Sequence, residues 1–285
     1  MNVLVTGGSG RIGRYVVREL AAAGHTVTNA DLIPTPGAPG KFLQVNLTEP
    51  GDVYRALAYS DAEAVIHLGA WANAGIVPDT RTYGDNVRGA FNLFRACADL
   101  GVARVVNASS AQVYGFAGAA PVYVPVDEAH PLRPINSYAL AKVAAEQAAD
   151  YFVANEGMTI LSFRFMGVRA PQEIGPEIEQ MAADPASGSW LLWTRTDARD
   201  AALACRLAIE APSVPSGPYN ITGAEVVLDQ ESAALVAAHF GAATEVRPGL
   251  AGHVSPLSCA RAESAFGYRP RYVWRQRQYH PEATA

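Results

Sequence analysis

The sequence predicts an α/β chain, a doubly wound parallel sheet with a small C-terminal substrate lobe. Three observations lead there. Short apolar runs alternate with stretches of helical periodicity through most of the 285 residues, the pattern of parallel strands joined by crossover helices. Glycines at 7, 10 and 13 stand between the first apolar run and the first helical stretch. Residues able to bind a ligand recur at strand carboxyl ends, the edge along which open parallel sheets hold their ligands.

In chain order, Val3 to Thr6 is a strand, and Arg14 to Ala23 has helical spacing before Gly24 stops it. The glycines between them permit a tight turn, close approach of a pyrophosphate and close helix-on-strand packing. The helix N-terminus adds unsatisfied N–H groups for the phosphates. Strand, turn and helix together supply the context that a Rossmann dinucleotide fingerprint requires. Thr26 to Ala30 is a second strand, closed by Asp31. A carboxylate there accepts both ribose hydroxyls of NAD and repels the extra phosphate of NADP, so Asp31 points to NAD; a simple cap is the plain alternative. Arg11 and Arg14 lie near enough to the phosphates to keep NADP in play.

Pro34 to Gly40 is a loop, and Phe42 to Val45 a third strand ending at Asn46 and Leu47, a position beside an adenine ring. Asp52 to Tyr59 is a short helix. Ala64 to Ala70 is a fourth strand running through His67, Leu68 and Gly69 into a turn, with His67 a structural residue sooner than a catalytic base. Thr80 to Leu100 is a long helix that contains Asn86, and Val87, Ala90, Phe91, Phe94 and Cys97 share its apolar face. Val102 to Ala108 is a fifth strand that delivers Ser109 and Ser110 at its carboxyl end. No Gly-x-Ser-x-Gly elbow marks these serines as nucleophiles.

The loop from Tyr114 to Pro134 carries four prolines and forms a site margin; a helix then runs from Tyr138 to about Asn155, and Met158 to Phe163 is a sixth strand leading to Arg164. After Pro171 the alternation loosens, with Gly, Pro and Ser scattered from Gln172 to Ser189, before Trp190 to Trp193. Asp197 to Glu210, Asp229 to Phe240 and Ser258 to Phe266 are helical, Gly217 to Ile221 is a strand, and the tail from Arg275 is polar. The expected division is a dinucleotide domain over 1–165, to which 198–221 returns, and a lobe from 166–197 and 222–285.

Composition narrows the function classes. A net charge of -5 and a pI near 5.7 give no basic footprint for nucleic acid or for an anionic membrane. No apolar segment is long enough to span a bilayer, and no leader pattern follows Met1, so a cytoplasmic location is expected. Three cysteines far apart suggest buried thiols, with neither a disulfide nor a metal site.

The chemistry centres on Asn136 to Lys142, where Tyr138 and Lys142 lie an i,i+4 step apart and so share one helix face. A tyrosine with a pKa of about 10 is a poor base at neutral pH, but a neighbouring ammonium favours its phenolate. Lysine is scarce here, Lys41 and Lys142 being the only two, so a purely solvated lysine at 142 would be out of character. Ser110 can hydrogen-bond the substrate oxygen that Tyr138 deprotonates.

Taken together, Thr6 to Gly13, Asp31, His67 to Ala70, Asn86 to Gly89, Ser109 to Gly115, Tyr138 to Lys142 and Arg164-Phe resemble the extended short-chain dehydrogenase/reductases of the NAD-dependent epimerase/dehydratase group. The resemblance implies a Ser110, Tyr138, Lys142 triad, with Lys142 also holding the nicotinamide ribose and Asn86 shaping that corner. It implies dimerisation through the helices at 80–100 and 137–155. The cofactor contacts expected on these grounds are Gly7, Gly10, Arg11, Ile12, Gly13, Asp31, Asn46, Leu47, Leu68, Gly69, Ala70, Asn86, Tyr138, Lys142 and Met166. Trp71, Ser110, Gln112, Tyr138 and Arg195 are expected to meet a sugar-like substrate.

Asn46 stands where the family usually has aspartate, and Pro171 to Trp193 is shorter than in relatives acting on nucleotide-linked sugars. That short segment, its tryptophans and the following Thr-Arg-Thr-Asp197 resemble the compact uronate and aldose dehydrogenases of the group, although Ala111 and Gln112 match them only in part. Arg195 or Arg164 could pair a substrate carboxylate or form a structural salt bridge. The leading expectation is NAD-dependent oxidation of a hydroxyl on a small sugar or sugar acid. The alternatives are an epimerase with tightly held NAD and a non-catalytic NAD sensor.

Overall fold

Strands covered on both faces need apolar side chains on both, and the first strand meets that demand residue by residue. Val3, Leu4 and Val5 are all fully buried, Val3 and Val5 in one core cluster and Leu4 in another. The computed structural model describes residues 1–275. In chain order it contains β1 (Asn2–Thr6), α1 (Gly13–Ala22), β2 (Thr26–Asp31), β3 (Lys41–Gln44), α2 (Pro50–Ser60), β4 (Ala64–His67), α3 (Asp79–Asp99) and β5 (Arg104–Ser110). These are followed by β6 (Tyr123–Val124), α4 (Ser137–Glu156), β7 (Thr159–Phe165), β8 (Val168–Arg169), α5 (Pro171–Ala183) and β9 (Thr196–Asp197). The chain continues with α6 (Ala198–Glu210), β10 (Gly217–Ile221), α7 (Ser232–His239), β11 (Glu245–Val246) and α8 (Ala260–Phe266).

Seven strands form one parallel sheet in the order β10-β7-β5-β4-β1-β2-β3. The order reverses at β1, whose neighbours are β2 on one side and β4 on the other, and a crevice opens at the carboxyl ends of such a switch point. Val16, Val17 and Leu20 of α1 pack with Ala201 and Cys205 of α6 on one face of the sheet. Val53 and Leu57 of α2, Leu93 and Phe94 of α3 and Phe152 of α4 cover the other face. A third cluster, containing Tyr114, Ile174, Trp193, Val227 and Leu235, lies beyond the carboxyl edge. Helix α8 joins the first cluster, where Phe266 stacks on Phe163 with ring centroids 5.6 Å apart.

Two expectations are corrected. The stretch after Pro171, where the pattern looks irregular, forms the helix α5. Pro171 occupies its first turn, where a missing N–H costs nothing, and Glu173 Oε2 accepts from the Ala170 N–H at 2.9 Å. Pro176 lies inside the helix and disguises the i, i+4, i+7 spacing of the buried Ile174, Ile178 and Met181. On α3, Phe91 is 46% exposed and not part of the buried face, which Leu93 helps to form. Cys97 and Cys205 are buried, Cys259 is half-buried, and all three are free thiols. The polar tail beyond Arg275 lies outside the described residues.

Candidate active site

The ends of β1 and β4 approach so closely that side chains are excluded between them. A Cβ on Gly7, whose φ is +67°, would stand 2.6 Å from the Gly69 nitrogen, and one on Gly13 would stand 2.1 Å from the Gly7 carbonyl oxygen. Glycine is the residue that fits both positions. The cradle so formed opens into a cleft of about 1180 Å³ that runs along the carboxyl edge of the sheet.

At one end of the cleft, Gly10, Arg11 and Ile12 form the turn before α1, with Arg14 beside them. The Nε of Arg14 is buried and has no protein partner, which suits an anion at the helix N-terminus. Asp31 closes β2 there; its carboxylate accepts from the Ser9 N–H at 3.0 Å and from the Leu32 N–H at 2.7 Å, which fixes its orientation. Asn46 and Leu47 line the same end. Asn46 Oδ1 accepts from both the N–H and the hydroxyl of Thr48, and Asn92 on α3 donates to the Leu47 carbonyl at 2.9 Å. Phosphate-ready amides, an oriented carboxylate and a wall of Leu47, Leu68 and Ala70 suit a dinucleotide.

At the other end, β5 and α4 bring three groups together. Asn136 caps α4 by accepting from the Ala139 N–H at 2.8 Å, which starts the helix so that Tyr138 and Lys142 share one face. Both are nearly buried, at 7% and 6% exposure. Lys142 Nζ donates to the Ala108 carbonyl at 2.6 Å and sits 5.6 Å from the centre of the Tyr138 ring. Ser110, the last residue of β5, accepts from the Gln112 N–H at 3.2 Å. Burial pushes the Tyr138 phenol up to about 12, and hydrogen bonding with Ser110 pulls against it. Burial likewise lowers Lys142 to about 8, with Glu146 opposing. Desolvation thus opposes ionisation of the phenol, and positive charge brought beside it would favour the phenolate.

Asn86 binds both backbone groups of Trp71, accepting from its N–H at 2.8 Å and donating to its carbonyl at 3.1 Å, and so holds the loop after β4. Met166, after β7, completes the wall. Gln112 donates to Asn73 Oδ1 at 3.3 Å and accepts from Asn136 Nδ2 at 3.3 Å. His67 does not reach the cleft; its Nδ1 pairs with the Thr6 hydroxyl at 2.7 Å, and burial lowers it to about 3.

Arg195 is the one expected site residue that the cleft does not receive. It is 4% exposed, and its donors go to Glu177 at 3.0 Å, the Thr194 carbonyl at 2.8 Å and the Met181 sulfur. Arg164 is committed to Glu146, at 2.7 Å, and to the Tyr114 hydroxyl and the Glu128 carbonyl, each at 3.0 Å. The expected Trp71 faces the cleft together with Arg81 and Asp85, which carry no sequence signal. Trp71 Nε1 donates to Asp85 at 2.9 Å, and Arg81 pairs with that same carboxylate at 3.1 Å. Trp190, at 40% exposure, lines the cleft, whereas Trp193 is fully buried.

The profile of the NAD dependent epimerase/dehydratase family matches residues 3–222. The chain belongs to that family. It is 31% identical over 185 residues to the UDP-glucose 4-epimerase of Lactobacillus helveticus, a match covering 61% of this chain and 54% of that protein. The chain thus spans about half the length of the curated relatives it matches. A short-chain dehydrogenase/reductase superfamily protein from Agrobacterium tumefaciens, solved with bound NAD, is similar at a TM-score of 0.74 and 26% identity over 97% of this chain and 95% of that one. The UDP-glucose 4-epimerase of Thermus thermophilus, in complex with NAD, gives a TM-score of 0.67 and 25% identity over 96% of both chains.

Proposed function

We propose that this protein is an NAD-dependent oxidoreductase that oxidises a hydroxyl of a small sugar or sugar acid. The observation that carries the reading is the convergence of Ser110, Tyr138 and Lys142, all nearly buried, in the one cleft that also contains the glycine cradle and Asp31. Gly7, Gly10 and Gly13 receive the phosphates, Asp31 the adenosine ribose, and Lys142 the nicotinamide ribose. NAD, when bound, takes the hydride and adds positive charge beside the phenol. Tyr138 accepts the hydroxyl proton, and Ser110 orients the oxygen that loses it. Asn86 fixes the floor beneath Trp71 against which the substrate rests.

A second reading, a sugar epimerase that keeps NAD bound, is favoured by the UDP-glucose 4-epimerases among the relatives. Incubation of the purified protein with NAD and free sugars separates the two. Accumulating NADH supports the dehydrogenase, and isomerised sugar without it overturns that reading.

The substrate lobe is read as 166–197 and the stretch from 222 up to α8, with the third core cluster as its interior and Trp190 as its contribution to the cleft, while α8 packs with the first cluster. We also place the protein in the cytoplasm, where three free thiols are at home. It is a homodimer joined through α3 and α4, on which Tyr83, Phe91, Leu140 and Tyr151 stand exposed. A monomeric mass by light scattering at micromolar concentration would refute the pairing.

A further inference from the structure

Among the described residues, the arginines on the substrate side of the cleft each hold a partner inside the protein. Arg81 points both Nε and one Nη at Asp85 Oδ2, at 3.3 and 3.1 Å, so its side-on donor face is occupied. Arg169 gives Nε to Glu177 and Nη1 to the Val168 carbonyl. Arg11, at the rim, is paired with Glu173 at 3.1 Å. Arg195 and Arg164, the candidates suggested by sequence, are buried in ion pairs with Glu177 and Glu146. A carboxylate is gripped best by a complete fork of two parallel N–H donors, and a phosphate by the same device.

Apart from Lys142, the rest of the described lining on that side is uncharged. Ser110 stands next to the Gln112 amide, which is held between Asn73 and Asn136, while Trp71 and Trp190 supply flat apolar faces. Amides and hydroxyls match the donor and acceptor pattern of a polyol, and indole faces match the C–H side of a sugar ring. Asp85 and Glu173 face the same space, so an anionic ligand would meet carboxylates while finding its cations engaged.

We propose that the substrate is electrically neutral: an unphosphorylated, carboxylate-free polyhydroxy compound such as a free aldose, and neither a uronate nor a nucleotide sugar. The inference rests on the dehydrogenase reading and narrows it. The geometry selects against charge in two ways, because each of these arginines already holds a carboxylate and two of those carboxylates, Asp85 and Glu173, stay in the cleft.

The test is initial-rate NADH formation by the intact protein with NAD, using a panel of free aldoses, the uronates that match them and the corresponding UDP-hexoses. The expected result is turnover of at least one aldose, with kcat/KM at least about 100-fold above that of its uronate. A uronate equal to or better than its aldose overturns this inference while leaving the dehydrogenase reading intact. No NADH from any panel member, with the UDP-hexose isomerised, overturns both. NADH from a UDP-hexose or a uronate but from no aldose overturns the inference alone. Asp85→Asn supplies an independent arm: by freeing Arg81 and removing a negative charge it should raise the uronate-to-aldose ratio of kcat/KM by about tenfold. An unchanged ratio would mean that these pairs do not set the preference.

Discussion

Tyr138, Lys142 and Glu146 follow one another at i,i+4 along a single face of α4, yet the two ends of that face are finished differently. At the deep end, Glu146 is closed off. It accepts from Ser109 Oγ at 2.5 Å and from Arg164 through two bonds, at 3.0 and 2.7 Å, and Arg164 in turn is bonded to Tyr114. At the cleft end, the Tyr138 phenol has only Ser110 to oppose its burial, and the space in front of it is open. The difference teaches where chemistry can occur on a helix. Groups whose partners are all supplied by the fold hold structure, and groups left one partner short can act on something that arrives.

That contrast can be broken by substitution at either end. The largest effect is expected from Tyr138→Phe, which should lower kcat by about 100- to 10,000-fold, the usual worth of a positioned acid/base, while NAD affinity measured by fluorescence titration stays within about twofold. Near-normal turnover would remove Tyr138 from its assigned role. At the deep end, Glu146→Ala strands a buried guanidinium and should cost about 3–5 kcal/mol in urea unfolding. It also withdraws the charge that holds the Lys142 pKa up, so Lys142 should lose its proton at a pH below its present value of about 8. The alkaline limit of activity should move down with it.

At the far end of the cleft, Asp31→Ala removes hydrogen bonds from a carboxylate and should weaken NAD binding by about 1.5–3 kcal/mol. NADP should be affected far less, and equal losses for both cofactors in competition titrations would refute Asp31 as the discriminating group. The smallest effect at neutral pH is expected from His67→Gln. His67 titrates near 3 in the folded protein against an ordinary 6.5, so between those values the unfolded chain binds the extra proton. Stability therefore falls as pH drops through that window, by at most about 1.4 kcal/mol per pH unit, and the variant should show a shallower fall in acid unfolding curves.

The same contrast explains what can be read from sequence. Parallel strands announce themselves because both faces are apolar, and the glycines at 7 and 13 because nothing larger fits. Tyr138 and Lys142 are legible because their spacing is local. The fates of Arg164 and Arg195 are not, since each depends on a carboxylate 18 residues away in sequence. Helix α5 is obscured by Pro176, although Ile174, Ile178 and Met181 carry its period. Trp71 is expected from sequence, but its partners Arg81 and Asp85 are not, since they stand in the first turns of α3 across a junction with no repeating pattern.

The height of the Tyr138 pKa, about 12, bears on the order of events. Burial keeps that proton on oxygen, and a cation arriving beside the phenol would favour its release. Loading the oxidised dinucleotide should therefore acidify an unbuffered solution, whereas loading the reduced form should not. Redox state and protonation state are thereby geared together, and the protein is armed in one direction by the coenzyme it has just received.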